Sequence, residues 1–228
     1  ILPTYARVDL AFERGEGAWL IATNGDRYLD FASGIAVNVL GHAHPRLVAA
    51  LTEQAGKLWH VSNLYRIPEA ERLADRLCEV SFADKVFFTN SGAEALECAI
   101  KMARKYQSAS GKPERYRIIT FEGAFHGRTA LTMGLTGKVV PYKKGFGPTP
   151  PEIHHVPFPV AHYGVSVKDT LKALEYLFKA DLDPERTAAL IIEPVQGEGG
   201  FHVAPGELLK ELRAICSVHG IILIADEV

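Results

Sequence analysis

Apolar and polar positions follow two rhythms along this chain, and the rhythms alternate. Near the start, Ala18–Ser33 (AWLIATNGDRYLDFAS) reads as two strand-like runs around Asn24-Gly25, a dipeptide suited to a type I′ hairpin turn. The next segments switch to helical spacing. Pro45 opens a helix carrying Leu47, Leu51 and Leu58 on one face, and a second helix begins near Pro68 with Leu73, Leu77 and Val80 aligned. From Lys85 the switching is regular. KVFFTN (85–90) predicts a short strand, and Ser91–Tyr106 a helix with Leu96, Ala99, Ile100 and Ala103 on one side. RYRIITFEG predicts a strand, VKDTLKALEYLF a helix, and AALIIEPVQGEGG a strand entering a glycine-rich loop. GELLKELRAICSVHG then predicts a helix and IILIAD a last strand. The Gly- and Pro-rich stretch from Gly134 to Tyr163 predicts a long surface excursion.

Strands alternating with helices imply βα units, and hence an α/β fold whose mostly parallel sheet is covered by helices on both faces. The 228 residues suffice for one large domain or two small ones, and a composition 47% hydrophobic and 23% charged is globular. A net charge of -2 offers no electrostatic footprint for nucleic acid or for an anionic membrane. No apolar run approaches the ~20 residues of a membrane helix, and the first residues carry no secretory-signal pattern. Cys78, Cys98 and Cys216 are scattered over predicted helices, which suits buried thiols in a reducing compartment, and His42, His44 and His60 lack metal-ligand spacing.

Ligands of open parallel sheets bind beyond the carboxyl ends of the strands, so the candidate chemistry lies there. After KVFF, Ser91-x-x-Glu94 is a capping box. Gly92 would let a phosphate approach the helix N-terminus, although an ordinary helix start explains the same residues. No G-x-G-x-x-G and no G-x-x-x-x-G-K-[ST] is present, which speaks against dinucleotide and nucleoside-triphosphate loops. After RIITF, Phe125 and His126 sit between glycines. Phe125 is suited to stack on a flat ring and Arg128 to grip a carboxylate, against the plain alternatives of core packing, a local hydrogen bond and a solvated cation. Glu193 and Asp226 each end a buried strand, where a carboxylate is costly unless paired. For Glu193 a structural ion pair and a functional role both answer that cost. For Asp226, a fitting cation is the protonated ring nitrogen of a pyridine cofactor.

Taken in series, TYARVDLAFERGEGAWL, GIAVNVLGHAHP, HVSNLY, TNSGAEALECAIKMAR, FHGRT, IIEPVQGEGG and LIADEV resemble the class III, fold-type I, pyridoxal-phosphate-dependent aminotransferases, and among them the acetylornithine type. The resemblance spans all 228 residues and corresponds to the N-terminal portion of the family's chain. It implies residues 1–60 as part of a small domain and its connection, and 61–228 as a large cofactor-binding domain lacking its C-terminal part. It implies cofactor phosphate on the N–H groups of Gly92 and Ala93. It places Phe125 and Val228 on the two faces of the pyridine ring, Asp226 at the ring nitrogen and Glu193 in support. Arg128 would hold the substrate carboxylate. Glu198 would pair with an arginine outside this chain, a pair that opens for 2-oxoglutarate.

The activity so implied is ping-pong transfer of the terminal amine of N-acetylornithine to 2-oxoglutarate in a cytoplasmic homodimer. The family's cofactor-bonded lysine falls beyond Val228, so this chain alone is expected to be inactive. Ornithine or 4-aminobutyrate as donor, and a non-catalytic fragment of the fold, are the alternatives.

Overall fold

A computed structural model describes residues 1–228, which form two compact units, Ile1–Val86 and Phe87–Val228. In the first unit, β1 (Phe12–Glu16), β2 (Trp19–Ala22) and β3 (Arg27–Leu29) make an antiparallel sheet in the order β1-β2-β3. The β2–β3 connection differs from the expected type I′ turn. Gly25 N bonds Ala22 O and Ala22 N bonds Asp26 O, both at 2.9 Å, and only Gly25 of the loop has positive φ (+90°). This is a three-residue loop with glycine at the left-handed position, so Asn24 is spared the φ > 0 that a type I′ turn would demand.

A single turn, α1 (Ser33–Ala36), follows, with Ser33, Gly34, Ile35 and Ala36 all at positive φ. Asp30 organises it by accepting from the N–H groups of Ala32 and Ser33 and from His42 Nε2 at 2.8 Å. These bonds hold the Asp30 carboxyl below the ordinary range, the His42 bond most of all. Helices α2 (Pro45–Ala55) and α3 (Pro68–Val80) both start at a proline, whose fixed φ suits the first helical turn. Their predicted apolar faces form. They are nonetheless solvent-exposed: Leu47, Leu51, Leu73 and Val80 each keep half or more of their surface.

In the second unit, α4 (Gly92–Ala109), β4 (Arg117–Phe121), α5 (Ala130–Leu135) and β5 (Ile153–Val156) are followed by α6 (Val167–Ala180) and β6 (Thr187–Ile192). Then come the two-residue strands β7 (Val195–Gln196) and β8 (His202–Val203), which flank the single turn α7 (Gly197–Gly200), and finally α8 (Gly206–His219) and β9 (Ile222–Ala225). The sheet order is β5-β4-β6-β9, parallel throughout, in the register Ile118↔Ile153, Ile118↔Ala189 and Ala189↔Ile222. Successive residues of β4 and β6 point to opposite faces, and both faces are covered. Ile119, Phe121, Leu190 and Ile192 pack with Leu174 of α6 and with Leu208, Leu212 and Cys216 of α8. Ile118, Ala189 and Ile191 pack with Leu96, Ile100 and Ala103 of α4 and with Leu135. This two-sided cover is why the strands read as unbroken apolar runs.

Two expectations need correction here. Lys85–Asn90 is not a strand: no ladder is available to it in this chain, and Phe87 and Phe88 are exposed. Within the predicted 134–163 excursion lies β5, an edge strand of the main sheet paired along β4. Below the sheet, the fully buried Arg115 fastens chain segments together. Its guanidinium donates to Glu185 O (2.7 Å), Gly220 O (2.8 Å) and His219 O (2.6 Å), satisfying carbonyls at the C-terminus of α8.

Candidate active site

Parallel alignment brings the carboxyl ends of β4, β6 and β9 side by side, with β6 in the middle. The residues leaving those ends are Glu122–His126, Glu193 and Asp226. Asp226 N still bonds Ile192 O at 2.9 Å, so the ladder persists one residue past β9 and fixes where the carboxylate begins. The second unit therefore gathers Gly92, Ala93, Phe125, Glu193, Glu198, Asp226 and Val228 around one rim, with Arg128 on the loop after Phe125.

Asp226 is buried, 7% exposed, and both its oxygens have partners. Oδ2 accepts from His126 Nδ1 at 2.7 Å, and Oδ1 accepts from Val228 N at 3.2 Å. His126, 3% exposed, meets Thr120 Oγ1 through Nε2 at 3.1 Å. A ring that donates from Nδ1 in its neutral tautomer leaves Nε2 to accept from the Thr120 hydroxyl. His126 N also donates to Thr136 Oγ1. Thr120, His126 and Asp226 thus form a buried relay from the middle of β4 to the tip of β9. The sequence offers His126 a backbone near a ligand or a local hydrogen bond; in the fold its ring reaches a residue one hundred positions away. The burial of Asp226 is answered in part by this histidine, so a cofactor cation is not the only resolution of its cost. A carboxylate has roughly four lone-pair sites and two are taken here, so Asp226 retains acceptor capacity toward a ligand.

Glu193, also 7% exposed, uses Oε2 to accept from Phe125 N at 3.0 Å and Oε1 to accept from Gly197 N at 3.4 Å. It acts as a brace between the loop after β4 and the turn α7. Burial raises its carboxyl above the ordinary range, and these two N–H donors only partly offset that. Gln196, 1% exposed, adds a second brace by donating to Glu122 O at 2.9 Å.

The half-buried Phe125 ring lies 5.0 Å from the ring of Tyr142, at 57°, and the Arg128 guanidinium sits 5.9 Å from the Phe125 centroid. At the start of α4, Glu94 N donates to Ser91 Oγ at 3.2 Å, and Glu94 Oε2 reaches back to Asn90 N at 2.7 Å. The reciprocal bond of the predicted capping box is therefore made one residue early. Ala95 N takes Ser91 O, the first helical acceptor, so the N–H groups of Gly92 and Ala93 precede the intrahelical ladder. Gly92 is required by space: a Cβ there would stand 2.7 Å from Val228 Cγ1. Glycine thereby lets Val228 lie against the helix start while leaving the N–H groups accessible. Gly127, at φ +124°, similarly admits Ala93, whose Cβ lies 2.8 Å from where its own would be.

Chemically, the rim offers a helix N-terminus for an anion, an aromatic ring and a valine for a flat apolar ligand, and a buried, histidine-held carboxylate for a cation or an N–H donor. Arg128 adds a guanidinium for a carboxylate. This donor set fits a phosphorylated pyridine better than any metal, since no group of three metal-ligating side chains is assembled.

Comparison with known proteins agrees with that chemistry. The sequence matches the family described as Aminotransferase class-III over residues 3–228. It is 59% identical over 225 residues to an acetylornithine aminotransferase of Mesorhizobium japonicum, covering 99% of this chain and 52% of that protein. It is 54% identical to an acetylornithine aminotransferase of Agrobacterium fabrum, over all of this chain and 53% of that one. Among solved structures, an amine transaminase from an uncultivated Pseudomonas species, in its PLP-bound form, superimposes with a TM-score of 0.90 at 31% identity, covering 100% of this chain and 55% of that one. An (S)-enantioselective omega-transaminase from Thermomicrobium roseum gives 0.89 at 36% identity, over 96% and 51%. The chain spans about half the length of the curated relatives it matches. With a family match running from residue 3 to residue 228, this chain belongs to the class III aminotransferases.

Proposed function

We propose that the full-length protein transfers the terminal amino group of N-acetylornithine to 2-oxoglutarate, with pyridoxal 5'-phosphate as its resident cofactor. The observation that carries this is the buried Asp226 at the tip of β9, held by His126 within the same rim as Gly92, Phe125 and Arg128. The acetylornithine aminotransferases at 54–59% identity supply the donor. The pathway served is arginine biosynthesis. A cytoplasmic homodimer, and residues 1–60 as part of the small domain with 61–228 as the large one, belong to the same proposal.

The cofactor, when bound, supplies an electron sink for breaking a bond at the amine-bearing carbon. The chain's own residues would do the rest. Gly92 and Ala93 offer N–H groups to the phosphate. Phe125 and Val228 shield the two faces of the ring and exclude water. Asp226 would hold a proton on the ring nitrogen through a remaining lone pair, and His126 keeps the carboxylate oriented. Glu193 fixes the backbone of Phe125 through its N–H. Arg128 binds the substrate carboxylate. In this reading the lysine that would bond the cofactor belongs to the part of the protein outside residues 1–228, and the residues described here would hold the cofactor and the substrate carboxylate.

The test is a donor comparison on the full-length protein with 2-oxoglutarate as acceptor. The expected order places N-acetylornithine well above ornithine and 4-aminobutyrate in kcat/KM. Preference for ornithine would displace the donor assignment. Asp226→Asn is expected to retain cofactor by absorbance yet lose most turnover, and a near-wild-type rate would remove Asp226 from its role.

A further inference from the structure

The aromatic ring of the rim stands outside the protein's core. Phe125 is half-buried and belongs to neither of the apolar clusters that cover the sheet. Its backbone is fixed. Phe125 N donates to Glu193 Oε2 at 3.0 Å, and the next N–H, that of His126, donates to Thr136 Oγ1 at 3.2 Å. Those bonds set the position of the Cα but leave the side chain its own χ angles. The ring meets Tyr142, centroid to centroid at 5.0 Å and 57°, and the Arg128 guanidinium at 5.9 Å. Both distances lie within reach of aromatic and cation–π attraction.

Tyr142 is held in turn by its loop. Gly137 N donates to Ala124 O at 2.7 Å, on the residue just before Phe125. A Cβ on Gly137 would lie 2.4 Å from Gly123 N and 2.8 Å from Phe121 O, so the backbone is pressed onto the exit of β4 where no side chain fits. After Tyr142, the N–H groups of Lys143 and Lys144 both bond Val139 O, at 2.7 and 3.1 Å. Lys143 Nζ donates to Gly134 O at 3.3 Å, near the end of α5. The loop is thus tied down on both sides of Tyr142. A side chain whose rotamer is fixed only when a ligand binds loses affinity to that ordering, and one fixed beforehand does not.

Taking the pyridoxal phosphate of the proposed function as the occupant, we propose that Tyr142 is a positioning residue, its ring packing on Phe125 so as to set the plane that Phe125 presents to the cofactor. Glu193 decides where Phe125 begins, and Tyr142 decides which way its ring faces.

The experiment titrates the full-length apoprotein with pyridoxal phosphate by fluorescence and records the circular dichroism that the bound cofactor acquires in its own absorption band. The proteins are wild type, Tyr142→Leu, Tyr142→Phe, Phe125→Leu and the double leucine variant. Tyr142→Leu is expected to weaken binding about threefold to tenfold, the range an aromatic pair spans, and to diminish the cofactor's dichroic band. Tyr142→Phe keeps the ring and should bind within about twofold of wild type. In the Phe125→Leu background, Tyr142→Leu should change affinity by less than about twofold, because no ring is left to orient, whereas a general loosening of the loop would persist there. Unchanged binding and dichroism in Tyr142→Leu, a Tyr142→Phe as weak as Tyr142→Leu, or equal weakening with and without Phe125 would overturn the proposal. Should the wild type bind the cofactor with the expected pattern yet fail to transaminate N-acetylornithine, the donor assignment falls and the role of Tyr142 stands. Normal turnover with cofactor binding indifferent to Tyr142 gives the converse, and a wild type that binds no pyridoxal phosphate overturns both.

Discussion

The bond from His126 to Asp226 can be weighed without any cofactor, by a double-mutant cycle on the apoprotein. At 2.7 Å, between groups 3% and 7% exposed, it has the length of a charge-assisted hydrogen bond in a site that excludes water. Such bonds contribute about 1.5–3 kcal/mol net. Removing only the histidine, as His126→Phe, leaves a buried carboxylate with the Val228 N–H as its remaining donor, and the expected loss is about 3–5 kcal/mol. Removing only the charge, as Asp226→Asn, should cost about 1–2 kcal/mol, because an amide still offers a hydrogen-bonding atom to the ring. In the double variant the uncompensated charge is gone, so its cost should fall short of the sum by about 1.5–3 kcal/mol. Urea unfolding at neutral pH, with equal slopes across the four proteins, gives the four free energies. His126→Gln, whose amide can donate to Asp226, guards against a phenylalanine that merely fails to pack, and it should recover part of the loss. A coupling below about 0.5 kcal/mol, within the range of independent sites, would mean that the two side chains stand together without supporting each other.

Four further outcomes are expected. Arg115→Met should cost about 3–5 kcal/mol, since it strands buried carbonyls of Glu185, His219 and Gly220, whereas Glu185→Gln should cost about 0–1 kcal/mol because that carboxylate is 67% exposed; urea midpoints separate the two. Gly92→Ala should weaken pyridoxal phosphate binding by about tenfold or more in a fluorescence titration, as Val228 is pushed off the helix start, and adding Val228→Ala should recover part of it. Glu193 has its carboxyl raised by burial, so the folded state holds that proton more tightly than the unfolded one, and its contribution to stability grows as pH falls from the raised value toward the ordinary carboxylate range. Glu193→Gln lacks that gain, so its stability relative to wild type should improve from pH 4.5 to pH 7, and the opposite trend would contradict burial as the cause. The Cys216 thiol, fully buried and pushed up to about 11 by desolvation, should resist a disulfide reagent at about pH 8 until the protein unfolds, with labelling of single-cysteine variants as the measurement.

What the sequence made legible were features whose cause is local. A run such as TAALII is buried on both faces and reads as a parallel strand. Leu96, Ile100 and Ala103 share a helix face, and Ser91 accepts the N–H of Glu94 three residues on. The places where reading failed depend on partners far along the chain. KVFF has strand composition, but a strand exists only through a ladder, and none reaches it here. IHHV has the ladder without the composition. Its two histidines look polar, yet His154 meets Asp181 at 3.1 Å and His155 meets Leu135 O at 3.0 Å, so an edge of the sheet hides in a stretch that reads as loop.

The same distinction governs the site. Asp226 was legible as a carboxylate in an expensive place, because its cost follows from the apolar run before it. The group that meets the cost was not, since nothing around FHGR announces Asp226 one hundred residues away. Sequence exposes the demand for a partner, and topology decides who answers it. The consequence for function is direct. A carboxylate already held by a histidine is oriented before any ligand arrives, so in the proposed function the rim would receive a cationic ring instead of being assembled by it. That is the condition under which electrostatic stabilisation needs no reorganisation at the moment of reaction.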